Sequence, residues 1–315
     1  MIYWGINALN HGSSLAIFNK DQLITNITDR EDTLPQKAFD YANKHRLWPD
    51  RIYWYENPWL KKIRQLRAGQ YSTALRLDNL PRHYLKKHGL ENVPVVYTSH
   101  HASHAAAGYY TSPFNHCAVV VLDAIGEFEC ASIWEGKHGE LRKVWSSKYP
   151  NSLGLFYSAF TDLIDLTPIV EEHILQKYSE LGDADRYYTQ VSAYLNQFMH
   201  FPENLHRGVR TWPYAITTEQ DRYDIAAAVQ QVFEEQVDMI MLCAQQLTLS
   251  KNLVYMGGCA MNSRYNTRLA DRWKHVWSLP NPGDASSSIG AVLYNTKERI
   301  SNYDFGVVNH LQISV

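Results

Sequence analysis

IYWGINALNHGSSLAIF, residues 2–18, reads as two β-strands folded around a polar, glycine-containing turn, NHGSS. QLITNIT (22–28) adds a third strand. Residues 35–94 carry helical and loop patterns, VPVVYTS (93–99) is another strand, and a helix follows from residue 100. The same order then begins again. CAVVVLDAIGEFECASIWEG (117–136) is strand, glycine-containing turn, strand, and ELRKVWSSKY (140–149) is a third strand. NSLGLFYSAFTDLI (151–164) is a helix with an Asn/Ser start. In 219–247, Ile225, Val229, Val232, Gln236, Ile240 and Ala244 keep helical spacing, with Phe233, Val237 and Met241 beside them. NLVYMGG (252–258) is a buried-type strand ending in two glycines, and HVWSLPN (275–281) is another. After the loop PGDASSS (282–288) a last helix runs from about Ser287.

Hairpin, third strand, helix, strand, helix thus occurs twice. The halves are not close sequence repeats, but the layout is duplicated. Two such α/β units imply two RNase-H-like lobes of the actin/sugar-kinase/heat-shock-ATPase architecture, closing on an interlobe crevice. The expected division is 1–116 for the N-terminal lobe, with a basic and aromatic insertion at about 50–90, and 117–315 for the C-terminal lobe. The last helix of the second lobe would pack back on the first.

The chain of 315 residues is 45% hydrophobic and 20% charged, as expected of a soluble globular protein with a substantial core. A net charge of -2 excludes a general polyanion binder and leaves nucleic-acid contact to a local patch. One candidate patch is 61–87, where Lys61, Lys62, Arg64, Arg67, Arg76, Arg82, Lys86 and Lys87 face only Asp78. Trp54, Tyr55, Trp59 and Tyr71 lie among or just before them. Such a segment is either a nucleic-acid contact or a solvated helix pair. Cys117, Cys130, Cys243 and Cys259 form no CxxC, which argues against a thiolate zinc site or redox pair and fits a reducing cytoplasm. No apolar run reaches membrane length and the N-terminus lacks a signal-peptide pattern, so a cytoplasmic protein with no membrane partner is expected.

SHHASHAAAGYYTSPF (99–114) holds three histidines in five positions. On a helix, His100 and His104 share a face and His101 points elsewhere. Two readings stand: a capped helix start, with Ser99 as N-cap, or a pair of metal ligands. Asp123, at the end of the apolar strand AVVVLD, and Asp284, in the PGDASSS loop, are candidate further ligands. Two imidazoles with one or two carboxylates suit Fe(II), Mn or Zn with positions left open.

HHASHAAAGYYTSPF followed by LDAIGEFE (122–129) resembles the O-carbamoyltransferases of the nodulation-factor and tobramycin type. GINALNHGSSLAIF (5–18) is similar to that family's opening strand and His-containing turn, and NSLGLFYSAFTDLI to its SxGxfYxxxT segment. NLVYMGGCAMNSRYN (252–266) resembles its GGxxxN loop, and NPGDASSSIGAV (281–292) its GD loop. The resemblance implies a divalent metal, usually iron, on His100, His104, Asp123 and Asp284. It implies an adenylate contact at Gly257, Gly258 and Asn262, the alternative for the glycines being a tight strand-to-helix turn, and makes Lys37 either a phosphate contact or a solvated lysine. His11 becomes the base that deprotonates the acceptor hydroxyl, in place of a turn histidine that bonds only backbone.

The activity implied is transfer of a carbamoyl group to a hydroxyl. The family's C-terminal domain, which makes carbamoyl-adenylate from carbamoyl phosphate and ATP, is not expected within these 315 residues. The donor is therefore expected to be carbamoyl phosphate itself, or carbamoyl-adenylate from a separate protein. Single-domain relatives of this kind resemble viral enzymes that modify DNA. With the basic 61–87 segment, this makes 5-hydroxymethylcytosine (or -uracil) in DNA the first expected acceptor. A sugar or antibiotic hydroxyl is the alternative, and a metal- and nucleotide-binding subunit of a tRNA threonylcarbamoyl-transfer assembly is another.

Overall fold

The computed structural model describes residues 1–200 and 204–300; residues 301–315 of the expected second lobe lie outside the described residues. The chain runs β1 (Ile2–Asn10), β2 (Gly12–Asn19), β3 (Gln22–Asp29), α1 (Gln36–His45), β4 (Arg51–Trp54), α2 (Pro58–Arg67), α3 (Tyr71–Leu75), α4 (Pro81–Lys86), β5 (Val95–Tyr97) and α5 (His100–Thr111). It continues as β6 (His116–Leu122), β7 (Glu129–Lys137), β8 (Glu140–Lys148), α6 (Leu153–Leu163), α7 (Glu172–Tyr178), α8 (Tyr188–His200), α9 (Glu219–Thr248), β9 (Asn252–Met256), α10 (Ser263–Asn266), β10 (His275–Trp277) and α11 (Ser287–Thr296).

The strands form two five-stranded sheets, ordered β3-β2-β1-β4-β5 and β10-β9-β6-β7-β8. In the first, β1 pairs antiparallel with β2 and parallel with β4, which pairs parallel with β5. In the second, β6 pairs antiparallel with β7 and parallel with β9, which pairs parallel with β10. Position for position, the two sheets have one topology. This is the duplicated RNase-H-like layout expected from the two hairpins.

One expectation needs correcting. The stretch taken as an insertion at about 50–90 opens on a central strand of the first sheet, β4, with Ile52, Tyr53 and Trp54 all buried. A strand covered on both faces shows no alternation, so nothing in RIYW separated it from the helical surroundings.

The sheets face each other across two helices. α11 lies on β1, β2 and β4 of the first sheet, α5 lies on β6, β7 and β9 of the second, and the two helices pack together. Each sheet thus carries a helix contributed by the other half of the chain. Glycines set the spacing of this stack. A Cβ on Gly5 of β1 would stand 1.8 Å from the Ser288 carbonyl oxygen, and one on Gly290 of α11 would stand 1.7 Å from that of Ser103 in α5. Backbones approach this closely only where no side chain intervenes. The apolar face of α9 covers the outside of the second sheet, with Ile225, Val229, Val232 and Phe233 buried. α9 begins at a capping box in which Thr218 and Asp221 exchange side chain-to-backbone hydrogen bonds. Among the described residues no helix is long and apolar enough to cross a membrane.

Candidate metal centre

Every residue of α5 is buried, as its place between two packed layers requires. Ser99 precedes it, but its side chain makes no capping bond. The cap comes from Glu127, in the turn between β6 and β7. Its carboxylate accepts from the His100 N–H at 3.1 and 3.2 Å and from the Asn57 N–H at 2.7 Å. A carboxylate at a helix start is favoured by the unpaired N–H groups there. Asn57 in turn caps α2, accepting from the N–H groups of Trp59 and Leu60. One buried carboxylate thus ties the starts of two helices. Glu127→Ala is expected to cost about 1–3 kcal/mol, because it strands two buried donors. Thermal unfolding of the variant checks this, and an unchanged midpoint would contradict the role.

α5 brings the Nε2 atoms of His100 and His104 to 3.1 Å from each other. Asp123, at the end of β6, presents Oδ2 at 2.8 Å from His100 and 3.3 Å from His104. Asp284, just before α11, presents Oδ1 at 3.4 and 3.3 Å from the same two atoms. One ligand atom from each of the four residues lies within 4.8 Å of all the others. This arrangement fits a metal. Ligand bonds of about 2.1 Å give ligand–ligand edges of roughly 3.0–3.4 Å in tetrahedral or octahedral sites. Four of the five spacings, 3.1–3.4 Å, match those edges, and the His100–Asp123 hydrogen bond is slightly shorter at 2.8 Å. Two imidazole nitrogens aimed at each other are otherwise poorly satisfied, since at most one can donate to the other. The His104 ring also meets Ser287 Oγ, at 3.4–3.5 Å.

The charges are mutually adjusted. Burial opposes a charge on His100, but Asp284 and Asp123 outweigh it and raise its pKa to about 10. His104 is raised in the same way, against burial, by hydrogen bonds to both carboxylates. Asp123 is held well below the usual carboxylate range and Asp284 below it, by the two imidazoles against burial. At neutral pH the metal-free cluster therefore holds protons that a metal must displace. Loading with Mn(II) or Fe(II) should release protons, and affinity should climb with pH until His100 titrates near 10. Calorimetry in buffers of different ionisation enthalpy reads that release directly; a buffer-independent heat would contradict it.

β1 positions Asp284 from the side. Asn7 Nδ2 donates to its carbonyl oxygen at 3.0 Å and Asn10 Nδ2 reaches Oδ2 at 3.5 Å. Neither asparagine was a candidate from sequence. The available signal was Asn7, a buried amide set between the apolar Ile6 and Ala8 of β1, which must find partners.

The remaining candidates are dispersed. His101 turns away and bonds Ser132 Oγ at 2.7 Å, and burial holds it neutral. His11 sits exposed in the turn between β1 and β2, next to Asn10. Lys37 is exposed on α1 and pairs with Asp29 at 3.2 Å, outside the cluster. Gly257 follows β9 with φ +94, and a Cβ there would stand 2.2 Å from the Leu122 carbonyl oxygen, so the turn itself demands glycine. A Cβ on Gly258 would lie 3.0 Å from Asp123 Oδ1, which places that loop beside the cluster. Asn262 spends its amide on Gln230, with two hydrogen bonds of 3.0 Å, and on the N–H of Tyr265. It caps α10.

The 61–87 segment is not a uniformly solvated basic face. Lys62 is buried and donates to the Ala74 and Arg76 carbonyls and to Asn79, Arg64 is buried, and Arg76 pairs with Asp78. Trp54 and Tyr55 are core side chains. What α2 turns outward is mostly apolar, Trp59, Leu60, Ile63 and Leu66, with Arg67 at its end.

A family model described as the carbamoyltransferase N-terminus matches residues 51–293, a span that contains all four cluster residues. The chain belongs to this family. Among its relatives, an uncharacterised protein of Synechocystis sp. is 33% identical over 224 residues, covering 64% of this chain and 36% of that protein. The nodulation protein NolNO of Sinorhizobium fredii is 23% identical over 222 residues, covering 65% of this chain and 32% of its own length. The chain thus spans about a third of these two relatives. Among solved structures, full-length HypF in a phosphate- and nucleotide-bound form is 12% identical and superposes with a TM-score of 0.48, over 94% of this chain and 55% of HypF.

Proposed function

We propose that this carbamoyltransferase N-terminal domain passes a carbamoyl group, from carbamoyl phosphate or carbamoyl-adenylate, to the hydroxyl of a sugar-type acceptor. The observation that carries the reading is the convergence of His100, His104, Asp123 and Asp284 within 4.8 Å inside the family's matched segment. A divalent metal bound there would supply Lewis acidity toward the carbamoyl oxygen. The chain's own part is preorganisation. Glu127 fixes the start of α5, Asn7 and Asn10 hold Asp284, and burial of both imidazoles keeps water from competing. We assign His11, one residue from Asn10, to take the proton of the attacking hydroxyl.

A sugar hydroxyl is favoured over 5-hydroxymethylpyrimidine in DNA for two reasons. Nodulation proteins are among the relatives, and much of the basic segment is buried or paired. The test uses purified protein, Fe(II), and carbamoyl phosphate with or without ATP, or carbamoyl-adenylate supplied directly. Sugar acceptors and hydroxymethylated DNA are offered in parallel, and products are read by mass spectrometry. The expected product is a sugar heavier by one carbamoyl group. His11→Asn should keep the metal and lose turnover by about 100-fold or more. Product on DNA alone would overturn the acceptor, and full turnover by the variant would remove His11 as the base.

A further inference from the structure

Beside the cluster, α2 from the first half of the chain meets the 204–207 segment from the second half. Asn204 Nδ2 donates to the Ala68 carbonyl at 2.8 Å, and its side-chain oxygen receives the Tyr149 hydroxyl at 3.4 Å. The Tyr149 and His206 rings lie 5.9 Å apart. Arg207 reaches to within 3.4 Å of where a Cβ on Gly69 would stand.

This junction gathers three arginines that, among the described residues, form no ion pair, although the Asp162 carboxylate lies beside Gly208. Arg64 is only 6% exposed, and it bonds a neutral amide, Gln70, at 3.0 Å. Its Nε has no partner, and neither do Gln65 Oε1 and His206 Nε2, all buried. Arg64, Arg67 and Arg207 all bear electrostatically on the Tyr149 hydroxyl. Among the described residues none of the three pairs with a carboxylate, and the nearby acid, Glu56, is taken by Lys61 at 2.6 Å. Burying a guanidinium without a counter-charge costs several kcal/mol, by order of magnitude. Natural folds rarely keep such a group unless a ligand completes it. Burial, Arg64 and His11 lower His206 to about 4, so a neutral imidazole stands among the arginines.

We infer that Arg64, Arg67 and Arg207, with Gln65 and His206, form an acceptor subsite for a phosphate or carboxylate carried by the molecule whose hydroxyl is carbamoylated. Guanidinium forks match both anions, and the neutral amide and imidazole suit neighbouring sugar hydroxyls. Position agrees. Glu127 bonds both His100 and the start of α2, and Arg64 stands seven residues along that helix, about 10 Å away. A polycationic aminoglycoside would be repelled.

The inference rests on the acyl-transfer reading, but its test does not need turnover. Binding of glucose 6-phosphate, glucuronate and unmodified glucose is measured by calorimetry on the full chain. At least one anionic sugar should bind about tenfold or more tightly than glucose, with affinity falling as salt rises. Whichever of the two binds identifies the anion. Arg67→Gln combined with Arg207→Gln changes exposed residues only and should remove most of that preference while the fold persists. Arg64→Met should remove it too. Equal binding of all three sugars, unaltered binding by both variants, or binding of a DNA duplex with none of the sugars would overturn the subsite. Anionic-sugar binding without carbamoyl transfer to any acceptor would refute the proposed reaction and leave the subsite standing.

Discussion

Asp123→Asn is expected to weaken metal binding by at least about 100-fold, and to lower carbamoyl transfer by on the order of a thousandfold or more. Changes in the groups behind a ligand already cost about 10–100-fold, and Asp123 stands in the cluster itself. It stands 2.8 Å from His100, closer than Asp284 does, and 3.3 Å from His104, level with Asp284. An amide keeps its shape but removes its negative charge. The loss acts twice, since the metal loses an anionic ligand and the imidazoles lose a counter-charge. Elemental analysis after gel filtration, beside turnover with each donor, reads both effects. His101→Asn is the matched control, because His101 bonds Ser132 and points away. Metal retained by Asp123→Asn at the wild-type level would remove that residue from the ligand set.

Gly290→Ala is expected to destabilise the fold by about 3 kcal/mol or more, through a clash rather than a lost contact. The new methyl would meet the Ser103 carbonyl at 1.7 Å, backbone against backbone, with no flexible end to yield. In a chain of this size that corresponds to a fall in melting temperature of roughly 4–5 °C or more. Gly5→Ala should behave alike, against Ser288 at 1.8 Å. The function follows the packing. α11 starts just after Asp284 and α5 carries both histidines, so forcing the helices apart opens the cluster and lowers metal content too. Gly283→Ala, one residue before Asp284, would find only ordinary contacts from 3.6 Å outward and should be near neutral. Equal effects at 283 and 290 would show that loop strain, not the helix contact, governs the site.

Much of the fold was legible because hairpins announce themselves. Two apolar runs around a polar turn, followed by a third strand, appear at residue 2 and again at residue 117, and the sheets repeat accordingly. β4 was not legible, because burial on both faces erases alternation. Nor was the seating of α5 on the second sheet, or the close backbone approach at Gly5 and Gly290. Each is a lone glycine inside an element, and nothing local tells a packing glycine from a weak spot. His100, His104, Asp123 and Asp284 could be named together only because helix spacing and strand ends limit where side chains go. Glu127 escaped notice because a glutamate in a glycine-containing turn reads as solvated, while here it reaches back to two helix starts. The basic segment misled for a related reason. Charge counted along a chain ignores direction, and α2 turns Lys62 and Arg64 inward and Trp59 and Ile63 outward.

The account stands or falls on the ion between the two sheets. Anomalous diffraction from crystals grown with Mn(II) or Fe(II), recorded on either side of the metal's absorption edge, locates it without assuming a mechanism. The predicted result is a strong peak within about 2.0–2.3 Å of His100 Nε2, His104 Nε2, Asp123 Oδ2 and Asp284 Oδ1. A metal bound elsewhere, with these four side chains still hydrogen-bonded to one another, would contradict it.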